Sequence, residues 1–296
     1  MMYSIKAIDG LKITTLVENQ VAFPNALLAQ HGLSFLIDIV CGNIKRRILF
    51  DVGPSSETLI HNMNLLKIDP KSIDMIYLSH CHYDHTTGLV GILKEIDKDI
   101  PIIAHPTLFR DTFTCKNSFI KNIGITYENK KEEILKHKGK LVLVNKPFSL
   151  MEGVLSTGEV KRTTDFEKNY PNMYKIDDGE LVPDIMLDDQ SLIINVKGKG
   201  LVIISGCSHS GVVNIINHTS DITNIPNIYG FIGGLHLSTA DHTIIEKTVD
   251  ALTKTNIELL CAGHCTGFNA LSYLSQSFGN KFEPLYVGKE IKIGNE

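Results

Sequence analysis

A chain of 296 residues with 43% hydrophobic and 21% charged side chains has ample material for a core, and a formal charge of −4 lacks the basic excess of a nucleic-acid-binding surface. No window approaches the roughly eighteen uninterrupted apolar residues of a membrane-spanning helix. The opening "MMYSIKAIDGLKITTLVEN" has neither the apolar block nor the cleavage site of a signal peptide, so a cytoplasmic location is expected.

The six cysteines, Cys41, Cys81, Cys115, Cys207, Cys261 and Cys265, form no CxxC pair and are spread along the chain, which argues for thiols rather than a disulfide framework.

Residues 11–16 and 34–40 read as strands, and "RRILFD" as a third ending on Asp51. Lys45-Arg46-Arg47 reads as a solvated hairpin turn. "VGPSS" supplies turn residues and an N-cap for a helix in "SETLIHNMNLLKI". "SIDMIYLS" is a short buried strand, "TTGLVGILKEI" a helix and "PIIAHP" the next strand. Residues 107–147 are polar and lysine-rich, and read either as a cap or insertion over a site or as a solvated excursion with one helix. From "GVLSTGEV" the β pattern returns, with "KGKG" as a hairpin turn between two apolar runs. "SGVVNIINHTS" and "HTIIEKTVDALTKT" are helical, and "IYGFIGGLHL" and "IELLCAGHCTG" are strand-like. This alternation indicates an α/β class, expected as one domain over 1–296.

Four strand-like runs end in a histidine: "IYLSH", "VIISGCSH", "GFIGGLH" and "LLCAGH". In α/β sheets ligands bind at the carboxyl ends of strands, so these ends suggest one convergent site. In "SHCHYDHTTGL", His80, His82, Asp84 and His85 crowd into six positions. Imidazole and carboxylate suit divalent metals, and four donors from one segment, joined by later strand ends, exceed the needs of one ion. The pattern favours two metals with an activated water between them.

"SHCHYDHTTGL" resembles the HxHxDH signature of the metallo-β-lactamase superfamily. "ILFDVG", "GLVIISGCSH" and "LLCAGHCTG" resemble its other strand ends, over nearly the whole chain. "GCSHSGVVNI", "GGLHL" and "GHCTG" together are similar to a branch named for a dihydropterin–ribofuranosylaminobenzene phosphate synthase of methanopterin synthesis. The resemblance implies a four-layer αβ/βα sandwich. It implies His80, His82 and His209 on one metal, and Asp84, His85 and His264 on the other. Asp51 would orient the ligands. Where many members carry a bridging aspartate this chain has Cys207, which reads either as a thiolate ligand or as a small buried residue. His236 reads either as a further ligand or as a contact to the substrate phosphate or leaving group, the second being favoured because the other ligands already fill two sites, and Asp84 is expected at the attacking water. Zinc is the first expectation, with iron or manganese also fitting the donors.

The remaining histidines read blandly. His105 is structural at a strand end, and His31, His61, His137, His218 and His242 are surface residues. Asp188-Asp189 reads as a hairpin turn, with Asp189 also a group behind the ligands. The leading expectation is a metallohydrolase acting on a small ester or phosphoester. The alternatives are a pterin-pyrophosphate transferase and a metal-loaded binding protein. No nucleic-acid or membrane partner is expected, and the oligomeric state is open.

Overall fold

The computed structural model describes residues 2–23, 25–116, 119–167 and 172–295. Two seven-stranded sheets face each other. The first runs, edge to edge, Glu290–Gly294, Gly10–Val17, Ser34–Cys41, Ile44–Phe50, Met75–Tyr77, Ile100–Ala104 and Gly139–Leu143. The second runs Phe282–Pro284, Leu259–Gly263, Ile228–Gly234, Gly200–Ile204, Leu192–Val196, Val154–Ser156 and Phe148–Met151. Each sheet combines antiparallel hairpins with a parallel part. The parallel strands begin with Ile44–Phe50 in the first sheet and with Gly200–Ile204 in the second.

The parallel strands are short Ile/Val/Leu runs because both their faces are covered. Inner-face residues Ile13, Phe35, Ile37 and Phe50 share a core with Ile194, Val202, Ile204 and Ile232 of the other sheet. Burying a side chain of this size contributes about 1.5–3 kcal/mol, offset by the entropy of ordering it. The Tyr77 hydroxyl crosses the same layer to Ser156 Oγ at 3.1 Å, so the one polar group at its tip is satisfied.

Helices cover both outer faces. Ser56–Leu65 starts where the Ser55 side chain accepts the backbone N–H groups of Glu57 and Thr58. Leu89–Ile96 buries Leu89, Val90, Ile92, Leu93 and Ile96 on one stripe against the first sheet. Val212–Thr223, His242–Thr253 and Phe268–Phe278 pack on the second. The result is the expected four-layer α/β sandwich.

A third, four-stranded sheet runs Glu180–Pro183, Met173–Asp177, Thr112–Lys116 and Phe119–Asn122. The polar stretch 107–147 therefore divides. Its first part enters this small sheet, while Gly139–Leu143 is an edge strand of the first large sheet. Residues 117 and 118 of that stretch, and the ends 1 and 296 of the expected domain, lie outside the described residues.

Lys45-Arg46-Arg47 is corrected from a turn to strand. The turn closes at Gly42 and Asn43, and Arg47 is held in the ladder with its Nε 2.6 Å from Asp38 Oδ1.

Candidate metal centre

The parallel strands of both sheets deliver their carboxyl ends to one edge. There Asp51 follows Ile44–Phe50, the His80 segment follows Met75–Tyr77, and Cys207 and His209 follow Gly200–Ile204. His236 follows Ile228–Gly234, and His264 follows Leu259–Gly263. At four of these ends a non-glycine residue turns through the left-handed region: Asp51 at φ 53°, Ser208 at 58°, His236 at 48° and His264 at 51°. Such residues cost of order 1–3 kcal/mol each and concentrate where side chains must be aimed.

The hydrogen bonds fix which ring nitrogen each imidazole presents. Asp51 Oδ1 accepts the Ser79 N–H at 2.7 Å, and Oδ2 accepts the Ser79 hydroxyl at 2.7 Å. With its one proton so used, Ser79 Oγ must accept from His80 Nδ1, 2.9 Å away. His85 Nδ1 donates to Asp51 Oδ2 at 2.6 Å. His264 Nδ1 donates to Asn19 Oδ1 at 3.0 Å, and that oxygen is identified by the Gly32 N–H it also accepts. Three rings thus spend Nδ1 as a donor and turn Nε2 inward.

His80 Nε2 and His82 Nε2 are buried without a hydrogen-bond partner. His85 Nε2 and His264 Nε2 lie 3.3 Å apart, with Cys207 Sγ 3.1 Å from the former. Asp84 Oδ2 is 3.3 Å from His264 Nε2 and 3.7 Å from His85 Nε2. Two imidazole lone pairs at this separation repel unless a cation or a proton lies between them. The donor set therefore fits a bound cation, and it groups in two: His80, Cys207 and His209, and His85, Cys207 and His264. In each group the ligand atoms lie within 4.8 Å of one another, and every residue is buried. Cys207 belongs to both. His82 joins the first through its ring, whose centroid is 4.7 Å from that of His80 and 4.8 Å from that of His209.

Electrostatics agree with the geometry. Burial, and then the neighbouring imidazoles of His85 and His82, holds His80 well below the usual imidazole range. Burial likewise brings His82 down to about 4. Both are therefore neutral donors at neutral pH. Burial opposes charge on His85 as well, but the Asp51 and Asp84 carboxylates outweigh it and raise the ring to about 9.

Several residues sit elsewhere than the sequence suggests. His31 is exposed, as expected, yet its Nε2 is 3.4 Å from Asp84 Oδ2 and its ring 5.0 Å from that of His264, at the rim of the site. His236 is half-buried with its ring 4.2 Å from that of His209. His218 is corrected from surface to half-buried, because its Nε2 is 3.1 Å from the Thr157 carbonyl. His105 is structural, at 2.8 Å from Thr107 Oγ1 and 3.1 Å from Glu159.

Between strands of two different sheets, Asp188 and Asp189 do not form a hairpin turn. Both are buried, and they reach opposite halves of the site: Asp188 Oδ2 accepts the Cys81 N–H and Asp189 Oδ2 the Ser210 N–H, both at 2.8 Å. Arg110 closes over Asp188 at 2.7 Å and Asp184 at 2.8 Å. Only the pairing of a buried "DD" with a distant arginine could have signalled this, and sequence spacing does not show that.

Beside His236 a cavity of about 710 Å³ opens between the small sheet and His242–Thr253. Phe166, Met173, Leu237 and Ile244 give it apolar walls, and Lys116 lines it as a cation.

Comparison with known proteins agrees with this architecture. Residues 46–121 match the β-lactamase superfamily domain. The chain is 43% identical, over 99% of its length and 100% of the relative's, to 7,8-dihydropterin-6-methyl-4-(β-D-ribofuranosyl)-aminobenzene-5′-phosphate synthase of Methanocaldococcus jannaschii. It is 36% identical to an uncharacterized protein of the same organism, over 90% of this chain and 94% of that one. Among solved structures, a metal-dependent hydrolase of the β-lactamase superfamily superposes with a TM-score of 0.80 at 25% identity, covering 96% of this chain and 100% of that one. A metallo-β-lactamase fold protein from Bacillus subtilis shares the fold with a TM-score of 0.54 at 13% identity, over 96% of this chain and 100% of that one. With one synthase matched end to end and the strand-end histidines gathered at one edge, the chain belongs to the metallo-β-lactamase superfamily of enzymes, in the branch of that dihydropterin-linked synthase.

Proposed function

We propose that this edge holds two divalent metal ions and that the enzyme uses them on an ester or phosphoester of a small molecule. His80, His82 and His209 would hold one ion, and Asp84, His85 and His264 the other. Cys207 would lie between them as a shared thiolate. Zinc suits this mixture of imidazole, carboxylate and sulfur best, and iron or manganese can occupy its harder part. The observation that carries the reading is the convergence of fixed Nε2 atoms, two of them 3.3 Å apart.

When bound, the ions would polarise the substrate oxygen and lower the pKa of a water at the site. The protein's own groups do the rest. Asp51 holds His85 directly and His80 through Ser79. Asp84, at the rim beside His31, would orient the attacking water. His236 borders both the metal-facing His209 and the cavity, where it can meet the leaving group. The cavity's size suits a small-molecule substrate, and Lys116 suits a phosphate on it. Six free thiols are in keeping with a cytoplasmic setting.

A second reading is favoured by the 43% identity to the synthase. Here a pterin, activated as its pyrophosphate, would be joined to an aminobenzene riboside phosphate, with pyrophosphate leaving. Both readings use the same activation of a phosphate-type oxygen and differ in the attacking group. Metal-loaded protein incubated with a phosphoester panel, and separately with the two synthase substrates, distinguishes them. Phosphate release without an acceptor marks hydrolysis. Pyrophosphate release that requires both partners marks transfer. No turnover in either assay with both ions loaded refutes the proposal.

A further inference from the structure

We propose that Cys207, His236 and Cys265 form a sulfur-rich site for a thiophilic divalent ion such as zinc or cadmium, adjoining the histidine–carboxylate centre. The three residues come from three strand ends of the second sheet, and their ligand atoms lie within 4.8 Å of one another. Both cysteines are buried and His236 is half-buried. Among the described residues no carboxylate joins this group, and Asp84 falls instead with His31 and His264.

The niche is built into the backbone. A Cβ at residue 234 would stand 2.5 Å from Cys265 Sγ and 2.9 Å from the Gly206 carbonyl, so the bare glycine makes the room in which the sulfur sits. The Gly234 N–H is bonded to that same carbonyl at 2.8 Å, which locks two of the strand ends together. The chain then turns through φ 48° at His236, whose backbone N–H points to Cys265 Sγ at 3.3 Å. Cys265 Sγ also lies 3.7 Å from the Cys207 carbonyl.

Two thiols and an imidazole are soft and borderline donors, and they select zinc or cadmium over magnesium or manganese. Binding releases the two thiol protons to solvent and changes no oxidation state. The site shares Cys207 with the centre proposed above and rests on that reading there; when it is filled, His236 is a ligand and not the leaving-group contact.

The test is a cadmium titration of the chelator-stripped full-length protein under anaerobic conditions. It is read by sulfur-to-cadmium charge-transfer absorbance and by sulfur counting from X-ray absorption. At the first bound equivalent, wild type is expected to show cadmium with two sulfur neighbours. It should also show about twice the charge-transfer absorbance of Cys265→Ser and about one equivalent more bound ion. Cys41→Ser and Cys115→Ser should behave as wild type. Equal absorbance and equal equivalents in wild type and Cys265→Ser overturn the proposal. If Cys265→Ser does not fold, the wild-type sulfur count at the first bound equivalent decides alone, and at most one sulfur per cadmium there refutes it. Failure of the dinuclear reading shows separately, as unchanged cadmium equivalents in His80→Ala and His82→Ala.

Discussion

Asp51 Oδ2 lies 2.6 Å from His85 Nδ1, and both side chains are wholly buried. The same oxygen accepts the Ser79 hydroxyl that in turn receives His80 Nδ1–H, so one carboxylate sets the tautomer of two imidazoles. In Asp51→Asn one of these acceptor positions becomes a donor, and a ring must rotate or change tautomer. Metal retention should fall by about 10–100-fold. Competition against a chromophoric chelator measures it, and unchanged affinity would show that Asp51 is only a packing group.

The Arg110–Asp188 pair ties the loop before the small sheet to the backbone of the metal motif. Arg110 is 12% exposed at its side chain, and its partners Asp184 and Asp188 are 3% and 0% exposed. Arg110→Met leaves two buried carboxylates without their countercharge and should cost about 3–5 kcal/mol of stability. Urea denaturation checks this. A loss below about 1 kcal/mol would mean that water replaces the guanidinium without penalty.

Glu167 supplies a pH-dependent contribution away from the metal-facing residues. Its carboxylate accepts the N–H groups of Val213 and Asn214, both at 2.8 Å, at the start of Val212–Thr223. Gly211, at φ 93°, leaves the room, since a Cβ there would stand 2.4 Å from the carboxyl carbon. Burial raises Glu167 to about 7 from 4.5, against the lowering effect of those two N–H groups. The folded protein therefore keeps a proton that the unfolded chain sheds near 4.5. The resulting stability is complete below that value and is lost as pH rises through about 7. Relative to Glu167→Gln, wild type should lose ground across this window at up to about 1.4 kcal/mol per pH unit. Parallel stability curves for the two proteins would contradict the assignment.

Cys207 is the one side chain that belongs to both histidine groups. Cys207→Ala should lower metal affinity by at least about tenfold, and Cys207→Asp should restore retention while shifting preference toward manganese. Metal analysis after dialysis against mixed ions reads both effects. Full retention of zinc by Cys207→Ala would make the thiol a spectator and leave His209 as the later ligand.

The large sheets and the metal edge were legible because their information is local. Strands such as Gly200–Ile204 and Leu259–Gly263 are buried on both faces, so their apolar runs stand out, and each ends on glycine and histidine. The small sheet was not legible. Thr112–Lys116 pairs with Met173–Asp177 some sixty residues on, and both are polar, half-exposed strands without a clear period of two. The roles of Asp188 and Asp189 were hidden for a similar reason. Their burial depends on Arg110, 78 residues from Asp188, and on backbone groups of two other loops. His31 read as surface because it is surface; only the return of its loop to Asp84 makes it part of the rim.

Metal content of anaerobically purified protein, measured beside the His80→Ala and His82→Ala variants, tests the central claim most directly. About two divalent ions per chain are predicted at the histidine–carboxylate centre of the wild type after reconstitution, with a third only where the sulfur-rich site also fills, and about one is lost in each variant. A content well below one per chain in the reconstituted wild type, or full retention by both variants, would contradict it.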